Sequence, residues 1–115
     1  MSQKQARQQV RSEAMVKLDA IEATMRRLGV WSSAPLAPER MNFQEPFAMD
    51  TMNFTEWLQF VFMPRARVAA ESVQFPKGWG IGTMAAREFD GRLEFEPLAE
   101  QLAEFERWVN AGAPV

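Results

Sequence analysis

An apolar stripe near the N-terminus places the strongest constraint on the fold. Apolar residues there recur every three or four positions, which is the repeat of an amphipathic α-helix. They are Val10, Ala14, Leu18, Ile21, Met25 and Leu28. Gly29 then stands where a left-handed residue commonly ends a helix, and Arg26 and Arg27 complement the negative helix end. The spacing predicts a helix from about Gln5 to Leu28 that buries one face against other helices.

A second pattern, starting at Asn53, predicts a central helix that is apolar on nearly every side. Asn53 and Glu56 form a capping box, in which each side chain accepts a backbone N–H at the helix start. One wide apolar face follows, made of Phe54, Trp57, Leu58, Val61 and Phe62. Pro64 is expected to kink or restart the helix, which continues as a more polar segment from Arg65 to Val73.

The segments around these two helices complete an all-α prediction. Residues 30–50 hold three prolines, so they cannot form one continuous helix, yet they are too apolar for a loose linker. We expect an ordered Pro-rich strap with a helical turn that starts at Pro38. After a loop at Phe75–Gly82, the sequence predicts a short helix around Met84 to Phe89 and a last helix from Pro97.

The whole chain, residues 1–115, is predicted to be a single-domain helical bundle of about four main helices. Its 115 residues are close to the modal size of a domain. The ends, residues 1–4 and 113–115, are expected to fray. The most apolar window, Phe54–Met63, has about ten residues, whereas a membrane-spanning helix needs about 20. We therefore expect no membrane segment.

The chain contains no His and no Cys, which removes most of the catalytic repertoire. There is no imidazole base, no thiolate nucleophile and no zinc or iron–sulfur ligand set. Carboxylates, lysines and hydroxyls remain, so an enzyme stays open as an alternative. The composition favours a non-catalytic protein that needs no metal or cofactor, and the absence of Cys suits the cytoplasm.

Arg65 and Arg67 are the strongest candidates for a binding site. If the helix keeps its phase through Pro64, Arg65 lies on the same face as the buried aromatic residues. A charge on that face needs a partner or a cleft. We expect Arg65 to pair with Asp50 or, as second choice, with Glu56. The alternative is a cleft beside Trp57 in which these arginines bind a ligand or a partner protein.

Three closely spaced glycines, Gly78, Gly80 and Gly82, resemble a phosphate-binding loop at first sight. The dinucleotide-binding fingerprint would place its third glycine at Thr83 and requires a preceding strand, and Lys77 comes before the glycines instead of after them. The sequence therefore favours a tight loop between helices, with a phosphate site as the weaker alternative.

Charge is distributed unevenly along the chain. Residues 1–30 carry six basic and three acidic side chains, whereas residues 31–115 carry seven basic and twelve acidic ones. The simplest use of this asymmetry is that the basic first helix lies beside the acidic last helix and closes the bundle. The alternative is that one of these faces binds a partner.

The central string of residues also resembles a known family. Its residues are Pro46-Phe47, Asp50-Thr51-Met52, Phe54, Trp57-Leu58-Gln59-Phe60-Val61-Phe62 and Pro64-Arg65, with Leu28-Gly29, Trp31, Ile81-Gly82 and Met84-Ala85 on either side. This pattern is similar to that of the YqcC-like family of small uncharacterised bacterial proteins. The resemblance implies a helical bundle of four main helices. It also implies an association with tRNA modification, because genes of this family commonly lie beside a gene for a tRNA pseudouridine synthase.

Two functional hypotheses follow. The leading one is a non-catalytic protein-interaction or accessory module, whose partner is another protein, such as a pseudouridine synthase, or a second copy of the chain. The chain lacks the length and the strands of a pseudouridine synthase, so we do not expect it to be that enzyme. The alternative is a small-ligand or substrate-binding protein that uses Arg65, Arg67 and Gly78–Gly82. Direct nucleic-acid binding is disfavoured by the net charge of −2.

Overall fold

The computed structural model describes residues 2–112, and within them the chain is helical without a β-strand. The elements are α1 (Gln3–Arg27), α2 (Phe54–Trp57), a π turn (Leu58–Phe62), α3 (Met63–Ser72), α4 (Ile81–Glu88) and α5 (Glu96–Asn110). Short 3-10 turns occur at Pro38–Met41, Pro46–Ala48 and Leu93–Phe95. Because α2, the π turn and α3 follow one another without a break, they form one central helix. The predicted all-α bundle of four main helices is confirmed.

Helix α1 is organised as its spacing predicts. The stripe residues from Val10 to Met25 are buried, and Leu28 is half-buried. At the C-terminal end Gly29 has a φ of +75°, and the N–H of Val30 donates to the carbonyl of Met25 at 3.0 Å. This left-handed ending satisfies carbonyls that the helix leaves without partners.

Helix α1 begins earlier in the chain than the spacing of its apolar residues predicts. Ser2 and Gln5 form a capping box, since each side chain accepts the backbone N–H of the other residue. Gln3 and Lys4, which we expected to fray, are consequently the first residues of α1. The remaining parts of the expected frayed ends, residue 1 and residues 113–115, lie outside the described residues.

The central helix contains a π turn directly before Pro64. There the N–H of Met63 donates to the carbonyl of Leu58, five residues back, instead of four as in an α-helix. Pro64 has no N–H, and its ring would crowd the carbonyl of Phe60 in a regular helix. The wider turn provides that space, and its extra residue rotates all following side chains by about 100° relative to a continuous α-helix.

Helix α1 lies antiparallel to α3 and also packs beside α5. Arg7, near the start of α1, donates to the carbonyl of Ser72 at the end of α3 at 3.1 Å. Arg67, one and a half turns earlier in α3, reaches Glu22 near the end of α1 at 3.1 Å. On the other side of α1, Lys17 lies 3.9 Å from Glu104 of α5. The first and last helices are therefore neighbours, as the charge asymmetry predicted.

A continuous row of aromatic rings runs through the core. Neighbouring ring centroids along it are 4.5 to 6.0 Å apart. The row consists of Phe95, Phe89, Phe54, Trp57, Phe62, Phe105 and Trp108. Trp57 lies in the middle of the row and is 7% exposed, so it connects the α4 end of the core to the α5 end.

The strap, residues 30–50, is ordered and crosses the central helix. Its expected helical turn is the 3-10 turn Pro38–Met41. Gln59, in the π turn, is 8% exposed and accepts from the N–H of Ser32 and donates to its carbonyl, both at 2.8 Å. The side-chain amide thus mimics the pairing of a neighbouring strand and fixes the start of the strap.

Replacing Trp57 with Ala should lower the free energy of unfolding by about 3–5 kcal/mol, because it removes the ring that joins the two ends of the aromatic row. Urea denaturation followed by circular dichroism measures this change. Val68→Ala is the control, since Val68 is 69% exposed and its loss should cost less than about 0.5 kcal/mol. A loss below about 1 kcal/mol for Trp57→Ala would contradict the central position of the ring.

The substitution Gln59→Leu should cost about 1–3 kcal/mol, because the Ser32 N–H and carbonyl would lose their partners beneath the strap. The same denaturation assay applies, with exposed Gln74 replaced by Leu as the matched control. Equal stability of the two variants would show that the amide does not hold the strap.

Candidate functional site

The structure places Glu56 against Arg40 of the strap. Arg40 Nη2 donates to Glu56 Oε1 at 2.8 Å, and Arg40 Nε donates to the carbonyl of Thr51 at 2.9 Å. The same carboxylate accepts the N–H of Asn53 at 3.0 Å, which completes the predicted capping box. The hydrogen bonds from Arg40 and then from Asn53 hold the pKa of Glu56 below its usual value.

Asp50 anchors a different part of the strap. It accepts the N–H of Gln44 at 2.9 Å and that of Glu45 at 3.4 Å. The hydrogen bond from Gln44 is the main reason why the pKa of Asp50 lies below its ordinary value. Next to it, Phe47 and Ala48 both have left-handed backbones, with φ of +57° and +52°, which costs of order 1–3 kcal/mol each. Burial of Ala48 and the contacts of the Phe47 ring help to offset this strain.

The prediction that Arg65 pairs with Asp50 or Glu56 is wrong. Arg65 is exposed and has no carboxylate within 4 Å among residues 2–112. The physical reason is the π turn, which the projection from sequence did not include. The rotation of about 100° turns Ala66 toward the core and Arg65 toward solvent.

Arg67 and Trp57 are both engaged in the fold. Arg67 Nη2 lies 3.0 Å from Asp19 and 3.1 Å from Glu22, so this side chain joins α3 to α1. The ring of Phe47 packs against Trp57 with centroids 4.8 Å apart. The structure therefore does not bring the five candidates Asp50, Glu56, Trp57, Arg65 and Arg67 into one cleft.

The glycine loop meets a carboxylate from within the chain. Glu106 of α5 accepts the backbone N–H of Gly80 and that of Gly82, the latter at 3.0 Å. These are the donors that a phosphate would need at the start of α4. Because Glu106 already uses them, the loop is a tight connection between helices.

Helices α4 and α5 pack very closely beside that loop. A Cβ atom added to Gly82 would lie 3.1 Å from the Cα of Ala103. On the outer side of this contact is a groove of about 620 Å³. We call it the α4–α5 groove, and its apolar lining includes Gly82, Ala86, Leu93, Ala99 and Ala103. Glu96 and Glu100 stand at its α5 rim.

Sequence reasoning missed Arg40, Gln59, Glu106 and the α4–α5 groove. The first three act through partners 16 to 27 residues away in sequence, which local spacing does not reveal. The run of small residues in α4 and α5 was the available signal for the groove.

Across residues 2–112, no cluster of three or more carboxylates is arranged to hold a metal ion. No helix in that range has the length and apolar character to cross a membrane.

Comparison with known proteins identifies the family. The sequence model of DUF446, described as "tRNA pseudouridine synthase C", matches residues 13–108. The chain belongs to this family. "Uncharacterized protein YqcC" of Escherichia coli is 42% identical over 50 residues, which are 44% of this chain and 46% of that protein. This similarity agrees with the YqcC-like resemblance of the central string.

Two other relatives differ greatly in length. An "Uncharacterized protein" of Haemophilus influenzae is 40% identical over 63 residues, which are 55% of this chain and 59% of that protein. A protein of Pectobacterium carotovorum named "tRNA pseudouridine synthase C" is 36% identical over 73 residues, which are 63% of this chain and 19% of that protein. The chain thus spans about half of the uncharacterised relatives and a fifth of the named synthase. No solved structure matches the chain significantly.

Stability should fall in acid because of the strap contacts. The folded-state pKa values of Glu56 and Asp50 lie below their unfolded values, so both carboxylates stabilise the fold above about pH 4–5. That stability is lost as the pH falls through the folded-state pKa. Urea midpoints measured from about pH 7 to 3 should decline less steeply for Glu56→Gln than for the wild type. The control Glu39→Gln, at an exposed strap position, should follow the wild type, and identical slopes for all three proteins would contradict the assignment.

Proposed function

We propose that this chain is a non-catalytic accessory module of a tRNA pseudouridine synthase. The observation that carries the proposal is the Pectobacterium relative, because a segment similar to this chain makes up 19% of a protein with that name. A segment that shares a chain with an enzyme has a high effective concentration near it. A separate chain of the same family would need an interface to act on the same enzyme.

Three carboxylates that are held within the fold favour an accessory role over catalysis. Glu56 and Asp50 hold the strap, and Glu106 holds the start of α4. General acid–base catalysis needs a group that can reach a substrate and exchange a proton with it. These three carboxylates instead accept hydrogen bonds from their own chain, and the sequence offers no His or Cys as a substitute.

The alternative of a ligand site at Arg65, Arg67 and Gly78–Gly82 has less support. Arg67 is paired with carboxylates of α1, and Glu106 uses the N–H groups of the glycine loop.

An accessory module for tRNA modification would work in the cytoplasm, together with the enzyme and its tRNA substrate.

The test is to titrate this chain into the tRNA pseudouridine synthase C of the same organism by calorimetry. We expect binding with a Kd of about 10 µM or tighter, and a change in the rate of pseudouridine formation when the chain is added to enzyme and tRNA. The chain alone should form no pseudouridine. A pseudouridine synthase that modifies a different tRNA position serves as the control for general affinity.

Two results would contradict this proposal. One is the absence of both binding and any change in rate at 100 µM of the chain, a concentration well above the expected Kd. The other is pseudouridine formation by the chain without the enzyme, since an accessory module has no such activity.

A further inference from the structure

The α4–α5 region carries more acidic side chains than its own contacts use, although Glu94 pairs with Arg92 and Glu106 accepts the N–H groups of the glycine loop. Residues 81–112 carry seven acidic side chains against three arginines. Among the described residues, Glu88, Asp90, Glu96 and Glu100 form no ion pair, whereas Glu104 reaches Lys17 of α1. The contact between α1 and α5 therefore neutralises little of the negative charge of this region. The remaining carboxylates are accessible to a positively charged partner.

The apolar floor of the α4–α5 groove lies beside these carboxylates. A second hollow, of about 200 Å³, shares Ala86, Leu93, Glu96 and Ala99 with the groove, so the two are continuous. Leu93 is 74% exposed and stands where the two hollows meet. Leu93 therefore lies within a concave surface that has a polar rim, whereas the exposed residues Val16 and Val68 line neither hollow.

The shape of the groove fits an α-helix. Small side chains on α4 and α5 leave room for a third helix to pack between them, with its axis about 8–10 Å from theirs. Helix α5 has 15 residues, which corresponds to about 22 Å at 1.5 Å per residue. Glu96 and Glu100 are one turn apart on its rim, so they can meet basic residues spaced by one turn on the incoming helix.

We propose that the α4–α5 groove binds a cationic amphipathic helix of the tRNA pseudouridine synthase. The inference rests on the proposed function and names the surface through which that function operates. The apolar side chains of the partner helix cover Leu93 and the alanines, and its Lys or Arg side chains face Glu96 and Glu100. Enzymes that bind tRNA carry Lys and Arg for the phosphate backbone, so such a partner has the charge that this rim requires.

A second copy of the chain is a less suitable occupant. Its basic helix would be α1, where Arg11, Lys17 and Arg26 are already paired with Glu71, Glu104 and Glu22. Among the described residues this leaves Lys4, Arg7 and Arg27, near the two ends of α1, without an ion pair. Pairing across copies through Arg11, Lys17 or Arg26 would break existing contacts. The synthase helix therefore accounts for the charge of the groove better than self-association does.

Two variants test the groove in the calorimetric titration with the synthase. Leu93→Asp should weaken binding by about tenfold or more, because it removes the apolar anchor. The double variant E96K/E100K should do the same and should also reduce the dependence of binding on salt. Matched controls elsewhere on the surface are Val68→Asp and E39K/E45K, which make the same chemical changes and should leave the affinity within about twofold.

The outcomes separate this inference from the proposed function. If the wild-type chain does not bind the synthase, the proposed function fails and the inference fails with it. If the wild type binds and both groove variants bind equally well, the accessory role stands and the groove is the wrong surface. If the groove variants alter the sedimentation of the isolated chain instead of its affinity for the synthase, the occupant is a second copy and the inference is overturned. Circular dichroism of every variant confirms that the fold is intact.

Discussion

The π turn at Leu58–Phe62 is the constraint on which the arrangement of the other elements depends. Before the turn, the central helix presents its aromatic face to the core. After it, the added residue rotates the helix so that Ala66 and Ala70 are buried and Arg67 faces α1. The small alanines let α3 lie close to α1. This one irregular turn thus allows the first part of the central helix to present its aromatic face to the core and the second part, α3, to pack against α1.

The same turn also connects the central helix to the strap. Gln59 is a polar residue in an otherwise apolar stretch, and its amide pairs with both backbone groups of Ser32. Burying an amide costs free energy unless its hydrogen bonds are formed. The strap must therefore lie where Ser32 can pair with Gln59. Arg40 and Asp50 add further contacts along the strap. Loop segments without regular backbone pairing are therefore held by side chains from the helices and from the strap itself.

Features that depend on local spacing could be predicted from the sequence. The buried stripe of α1, the capping box at Asn53 and the left-handed ending at Gly29 all follow from residues within a few helical turns. The position of Arg65 could not be predicted, because a helical projection assumes 100° per residue and a π turn breaks that assumption. The partner of the glycine loop was also hidden, since Glu106 lies 24 residues after Gly82.

Two sets of carboxylates in this chain have different surroundings, and the difference bears on the proposed interaction. Asp50, Glu56 and Glu106 accept backbone N–H groups, so their charges are used within the fold. Glu96 and Glu100 stand beside a shallow apolar surface without an ion-pair partner among the described residues. Solvated charges keep such a surface soluble while the chain is alone. They also exclude partners of like charge, because a buried carboxylate without a cation is strongly unfavourable. In the proposed complex, the acidic rim would supply selectivity for a cationic partner helix, and the apolar floor would supply contact area.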